Sequence, residues 1–250
     1  MKKRPRVAIF DFACCEGCQL QIVNLEEEIL DLAGAVELVE WREAMSEQSH
    51  EYDIAIVEGS ITRPEDEERL WVIRSRARVL IALGACATTG GVNRLKNKFP
   101  LDDVRRCVYG ADADRPHLHT ELTKAVDEVV KVDYKVHGCP IDRAEFVFVI
   151  RSILSGKKPE IAEYPVCVEC KRKGNICVWE YGEVCLGPIV RAGCGARCPS
   201  SGFRCFGCRG LIENANIEAA KDVIDRYGLD VEELKARMTL FANNREVSNG

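Results

Sequence analysis

The 250-residue chain has no apolar run approaching the roughly 20 residues needed to cross a bilayer. Val7-Ala8-Ile9-Phe10 is cut short by Asp11. The basic opening Met1-Lys2-Lys3-Arg4-Pro5-Arg6 is therefore not followed by a signal-peptide core, and no twin-arginine signal is visible. A direct membrane span is not expected, and the expected location is cytoplasmic. Strong positive charge is also missing. The net charge of −5 argues against a nucleic-acid partner. There is no Gly-x-Gly-x-x-Gly or Walker A pattern, so Gly59-Ser60 reads as a tight turn rather than a phosphate cradle. No Ser-His-Asp, paired-carboxylate or His-Glu-x-x-His constellation appears. Glutamine is scarce (Gln19, Gln21 and Gln48), while Glu, Lys and Arg abound, a composition that hints at a heat-adapted source.

Cysteine, by contrast, is abundant, with 14 in the chain. A disulfide scaffold is disfavoured without an export signal, because cytosolic thiols stay reduced. Fourteen thiols in a reducing compartment point to metal.

The chain divides in two. Residues 1–155 alternate strand and helix signals. Strands are expected at Arg6–Phe12, Ala35–Trp41, Asp53–Val57, Val79–Leu83 and Tyr134–Val136. Helices are expected at Gln19–Leu32, Pro64–Arg76, Glu121–Val130 and Ala144–Leu154. Such alternation implies an α/β domain with a parallel sheet, whose functional groups gather beyond the carboxyl ends of the strands. Cys14-Cys15-Glu16-Gly17-Cys18, Cys86 and Cys139 all follow strands, so they should converge on one edge.

Residues 156–250 form the second part, entered through Ser155-Gly156-Lys157-Lys158-Pro159. Eight Cys fall between Cys167 and Cys208, and residues 167–209 carry seven Lys/Arg against three Asp/Glu. The segment has little periodicity. A conventional apolar core is not expected there, and metal should help fix it. Helices at Ile217–Tyr227 and Val231–Phe241 close the chain, and 243–250 are expected to fray.

Cys15, Cys18, Cys86 and Cys139 form a candidate four-thiolate set. A Cys-x-x-Cys turn can clasp one centre, and the small residues around Cys86 allow close approach to an inorganic core. A redox Cys-x-x-Cys or plain buried thiols is the alternative. Cys167, Cys170, Cys177, Cys185, Cys194, Cys198, Cys205 and Cys208 divide into two further sets of four. Zinc, which also takes four thiolates, competes there with iron–sulfur clusters. Basic residues (Lys171, Arg172, Lys173, Arg191, Arg197, Arg204 and Arg209) would offset an anionic cluster. Cys14 and Cys107 read as thiols outside the sets. His137 next to Gly138-Cys139 could donate toward a cluster or be structural, and His117 and His119 lack catalytic company.

Cys15-Glu16-Gly17-Cys18-Gln19, Gly84-Ala85-Cys86-Ala87 with Gly90-Gly91, and His137-Gly138-Cys139-Pro140 resemble the small subunit of [NiFe] hydrogenases. Cys185-Leu186-Gly187-Pro188, Arg191-Ala192-Gly193-Cys194 and Cys205-x-Gly207-Cys208 resemble its cytosolic branch. That branch includes sulfhydrogenase delta subunits and the small subunits of F420-reducing and heterodisulfide-reductase-linked hydrogenases. The resemblance spans about residues 6–210. It implies a flavodoxin-like domain, then a small irregular Cys-rich iron–sulfur domain with C-terminal helices. It favours iron–sulfur over zinc and implies three [4Fe–4S] clusters. Cys15, Cys18, Cys86 and Cys139 would hold the proximal one. Cys194, Cys198, Cys205 and Cys208 would hold the medial one, and Cys167, Cys170, Cys177 and Cys185 the distal one. The exported branch has His where Cys167 stands and a three-cysteine medial site. The extra thiolates here would lower the potentials, which suits an acceptor such as NAD(P). Glu16 stands where exported relatives carry Thr; it reads either as a proton-transfer group facing the large subunit or as a surface acid at that interface. The implied partners are a [NiFe] large subunit, which carries the catalytic site, and iron–sulfur and flavin subunits. Proximal-cluster subunits of complex I-like systems match the first domain but lack the eight-Cys tail.

Overall fold

A computed structural model describes residues 4–241 of the chain. The first half is built on five strands: β1 (Arg6–Asp11), β2 (Glu37–Trp41), β3 (Ile54–Glu58), β4 (Val79–Leu83) and β5 (Tyr134–Val136). All pair in parallel in the order β2-β1-β3-β4-β5. β1, β3 and β4 (RVAIFD, IAIVE and VLIAL) carry near-continuous apolar runs. A parallel sheet buried on both faces requires this. Ala8, Ala55, Val57, Leu80 and Ala82 stack into one buried cluster with Leu70 and Ile73.

The helices of this half are α1 (Gly17–Val23), α2 (Glu27–Ala35), α3 (Pro64–Arg76), α4 (Gly84–Thr89) and α5 (Leu101–Tyr109). α3 has proline at its start, Glu65, Asp66 and Glu67 in its first turn, and Arg74 and Arg76 in its last. Each feature suits the helix dipole. Two helices differ from the sequence expectation. The expected Gln19–Leu32 helix is broken in two at Asn24–Glu26, where Glu26 takes φ +56. The expected Glu121–Val130 helix is reduced to one 3-10 turn, Val126–Glu128. Ile61 and Lys124 pair there as an isolated bridge, which holds the preceding backbone extended.

The second half contains α6 (Arg143–Leu154), α7 (Val166–Arg172), α8 (Arg197–Ser200), α9 (Ile217–Arg226) and α10 (Val231–Met238). The backbone divides into compact units at Arg143/Ala144, the head of α6. The sequence pattern alone puts the boundary after that helix. One expectation is corrected here, because the Cys-rich region does have an apolar core. Val166, Val178, Val184, Leu186, Ile189 and Val190 bury themselves with Ile224, Leu234 and Met238 from the two closing helices. The apolar residues of the irregular loops lack a period, so only the tertiary structure shows that they share a core with helices 30 or more residues downstream. The expected fraying of 243–250 lies outside the described residues. Among the described residues, no helix is long and apolar enough to cross a membrane.

Candidate metal centres

Strand order in the sheet turns between β1 and β3, the place where open α/β sheets collect ligands beyond their carboxyl ends. The loops there are stitched together. Ala13 and Ser60 exchange backbone hydrogen bonds of 3.1 and 3.0 Å. The Asn93 amide donates to the Ala13 carbonyl at 2.7 Å and to Ser60 Oγ at 2.9 Å. Glu16 takes a left-handed backbone (φ +61), which turns the chain sharply so that α1 begins directly after it. Glu58 ends β3 and is only 2% exposed. Its carboxylate accepts the backbone N–H groups of Cys18 and Gln19, each at 3.1 Å. The Gln19 side chain in turn accepts the Trp41 indole N–H at 2.7 Å. The head of α1 is thus fixed to the ends of β3 and β2.

Cys86 sits in α4, and the neighbouring Ala85 donates its N–H to the Gly138 carbonyl at 2.7 Å. This bond ties the loop after β4 to the loop that carries Cys139. Glycines stand against the sulfurs. A Cβ on Gly84 (φ +80) would overlap Cys18 Sγ, and one on Gly91 would lie 3.0 Å from Cys86 Sγ. Cys15, Cys18, Cys86 and Cys139 come within electrostatic reach of one another. Burial pushes Cys18, Cys86 and Cys139 upward. Cys86 reaches about 12, with Cys139, Glu58 and Cys15 adding to the effect of burial. Cys18 and Cys139 rise for the same first reason, and burial raises Glu58 itself against the pull of its two N–H donors. Cys14 also rises to about 12, through burial and then Glu58.

In the second unit, α7 carries Cys167 and Cys170. The Asn175 amide lies 3.6 Å from Cys170 Sγ. Cys185 Sγ accepts two backbone N–H groups, from Gly187 at 3.4 Å and from Cys205 at 3.1 Å. A Cβ on Gly187 would sit 3.2 Å from Cys167 Sγ and 3.5 Å from Cys185 Sγ. Burial, then Cys185, Cys170 and Cys177, push Cys167 to about 12, while Lys171 opposes. Cys205 is buried and pushed well up, first by burial, with Cys185, Cys208 and Cys194 contributing. Cys198 rises by burial and by Cys194. The Arg209 guanidinium, 1% exposed, donates to the Ala192 carbonyl at 2.7 Å and to Glu145 at 2.5 Å. It also lies within electrostatic reach of Cys194 and Cys208.

Among the described residues, no three His, Cys, Asp or Glu side chains converge tightly enough to grip a single metal ion. The thiols gather more loosely than that. The donor set fits a thiolate-ligated inorganic cluster: several thiols near one another, glycine in place of bulk beside the sulfurs, and N–H groups aimed at Cys185. Cys107 is exposed on α5, His119 lies 3.9 Å from Glu121, and His137 is buried. Glu16 pairs with Arg42 at 2.8 Å, and Arg42 also reaches Asp11 at 3.0 Å. Sequence reasoning missed the anchoring role of Glu58. Its one signal was an acid closing a strand otherwise made of Ile, Ala and Val.

The model of the family described as "NADH ubiquinone oxidoreductase, 20 Kd subunit" matches residues 15–153. Sulfhydrogenase 2 subunit delta of Pyrococcus furiosus is 36% identical over 239 residues, covering 95% of this chain and 99% of that protein. A vhu subunit of the F420-non-reducing hydrogenase of Methanocaldococcus jannaschii is 29% identical, covering 90% of this chain and 92% of that one. A chain of a crystal structure of NAD+-reducing [NiFe]-hydrogenase in the H2-reduced state superposes with a TM-score of 0.58 at 28% identity. That match covers 63% of this chain and 95% of the other.

The thiol environments predict an order of reactivity. In the metal-free chain at about pH 8, alkylation should label the exposed Cys107 ahead of Cys86 and Cys205, whose protonated forms are favoured. Only the thiolate reacts, so Cys86 labelling should rise about tenfold per pH unit until about 12. Peptide mass spectrometry after timed quenching reads both. Equal labelling of Cys86 and Cys107 at every pH would contradict the burial described.

Proposed function

The chain belongs to the small-subunit family of [NiFe] hydrogenases, and we propose on that footing that its twelve grouped thiols hold three [4Fe–4S] clusters for electron relay. The hydrogenase relatives place it in an oxidoreductase system whose catalytic site is on a large subunit. The observation that carries the proposal is the grouping itself. Cys15, Cys18, Cys86 and Cys139 come within electrostatic reach at the sheet edge, Cys167 lies near Cys170, Cys177 and Cys185, and Cys205 lies near Cys185, Cys208 and Cys194, which supports assigning the eight tail thiols to two adjoining sets. In this reading Cys194, Cys198, Cys205 and Cys208 serve the medial cluster and Cys167, Cys170, Cys177 and Cys185 the distal one.

Bound clusters would supply one-electron transfer at potentials set by ligand type, charge and hydrogen bonding. The protein's own residues tune and protect them. The Gly187 and Cys205 N–H groups stabilise negative charge on the Cys185 sulfur. Glu58 holds the backbone at Cys18 by accepting its N–H. Arg209 places a buried positive charge near Cys194 and Cys208, offset by Glu145. Apolar packing of Val166, Val178 and Leu186 excludes water from the tail sites. The first part of the chain, residues 1–155, would face the large subunit, and residues 156–250 an iron–sulfur or flavin partner in the cytoplasm. The likeness to a NAD+-reducing enzyme supports a nicotinamide acceptor.

The complex purified without oxygen should contain nickel in a second chain, and hydrogen alone should bleach the cluster absorption of this one. Nickel-free preparations in which hydrogen changes nothing would overturn the assignment. Glu16, held by Arg42 beside the first thiol set, is proposed to carry protons. Glu16→Gln should then slow hydrogen evolution severalfold with iron content unchanged; an unaltered rate removes the role.

A further inference from the structure

Two of the thiol sets are physically interlocked. Glu169 lies on α7 between Cys167 and Cys170, yet its carboxylate faces a different ligand loop. One oxygen accepts the backbone N–H of Gly193 at 2.9 Å and the other that of Ala196 at 3.0 Å. These two donors bracket Cys194. The loop they belong to is conformationally costly. Gly193, Gly195 and Ala196 have φ values of +107, +61 and +48, and Ala196 carries a Cβ that disfavours this region. Such a backbone persists only where its surroundings over-determine it. Here they do so from one helix. Glu169 takes its two N–H groups, and Lys173, just past the end of α7, lies against Gly195. On the far side Arg209 binds the Ala192 carbonyl. A second link runs the other way, because the Cys205 N–H donates to Cys185 Sγ at 3.1 Å.

We propose that Glu169 is a positioning residue. From within the Cys167/Cys170 turn it shapes the loop of Cys194 and Cys198, so that the second tail site is completed only when α7 is in place. A carboxylate is required because both of its oxygens accept. A carboxamide would present an NH2 group to one of the two N–H donors, and donor against donor breaks the clamp. This inference rests on the cluster reading of the tail thiols.

The test compares Glu169→Gln, Cys194→Ser and the surface control Lys157→Ala in the full complex, prepared without oxygen. Iron and sulfide are counted, and the reduced samples are examined by EPR. The unmodified chain should hold about twelve iron atoms, the content of three cubanes. Glu169→Gln should lose about one to four of them and reproduce the altered spectrum of Cys194→Ser, although no ligand thiol has been removed. Signals from the other two clusters, and all those of Lys157→Ala, should be unmoved. A Glu169→Gln sample with full iron and an unaltered spectrum would overturn the inference. So would loss of both tail clusters together, which would make Glu169 a folding residue of α7 and nothing more. An unmodified chain holding zinc and no sulfide would instead overturn the cluster reading beneath it.

Discussion

Thiolates crowded into a partly buried loop edge repel one another, and burial strips away the water that would screen them. At least two thiols of each set are therefore pushed toward their protonated forms, Cys86 and Cys167 to about 12. The fold nevertheless spends glycines, strand ends and buried carboxylates to keep these groups together. An arrangement that disfavours its own ionisation is stable as a ligand set once a positively charged metal core replaces the protons. The rest of the structure follows from that requirement. The parallel sheet aligns three loops at one edge, Glu58 pins the first ligand turn, and Glu169 and Arg209 brace the tail.

The two units meet the requirement differently. In the first, regular structure does the positioning: rigid strands end at fixed heights, and each grouped thiol lies within about seven residues of a strand end. In the second, the backbone is irregular and positive φ values are frequent. Side-chain-to-backbone bonds from Glu169, Arg191 and Arg209 take over the work of a sheet. Closing helices supply the apolar mass that the ligand loops cannot.

This difference decides what could be read from the sequence. The five strands were legible because each is a short apolar run ended by turn residues, and the sheet edge followed from their alternation with helices. The candidate thiols were singled out by residue type and by the resemblance of their motifs. The break at Asn24–Glu26 was not, because the apolar spacing continues across it. The tail core was not, because its apolar residues meet only through tertiary contacts. Glu58 and Glu169 look like ordinary acids in sequence. Their importance lies in which N–H groups their oxygens meet, and one-dimensional patterns do not record that.

The measurement that bears most directly on this account is Mössbauer spectroscopy of the unmodified, iron-57-enriched complex prepared without oxygen. Twelve thiols in three complete sets predict that the iron of this chain lies in four-iron clusters alone, about twelve atoms in all. A substantial three-iron component, or zinc in place of iron in the tail, would contradict it.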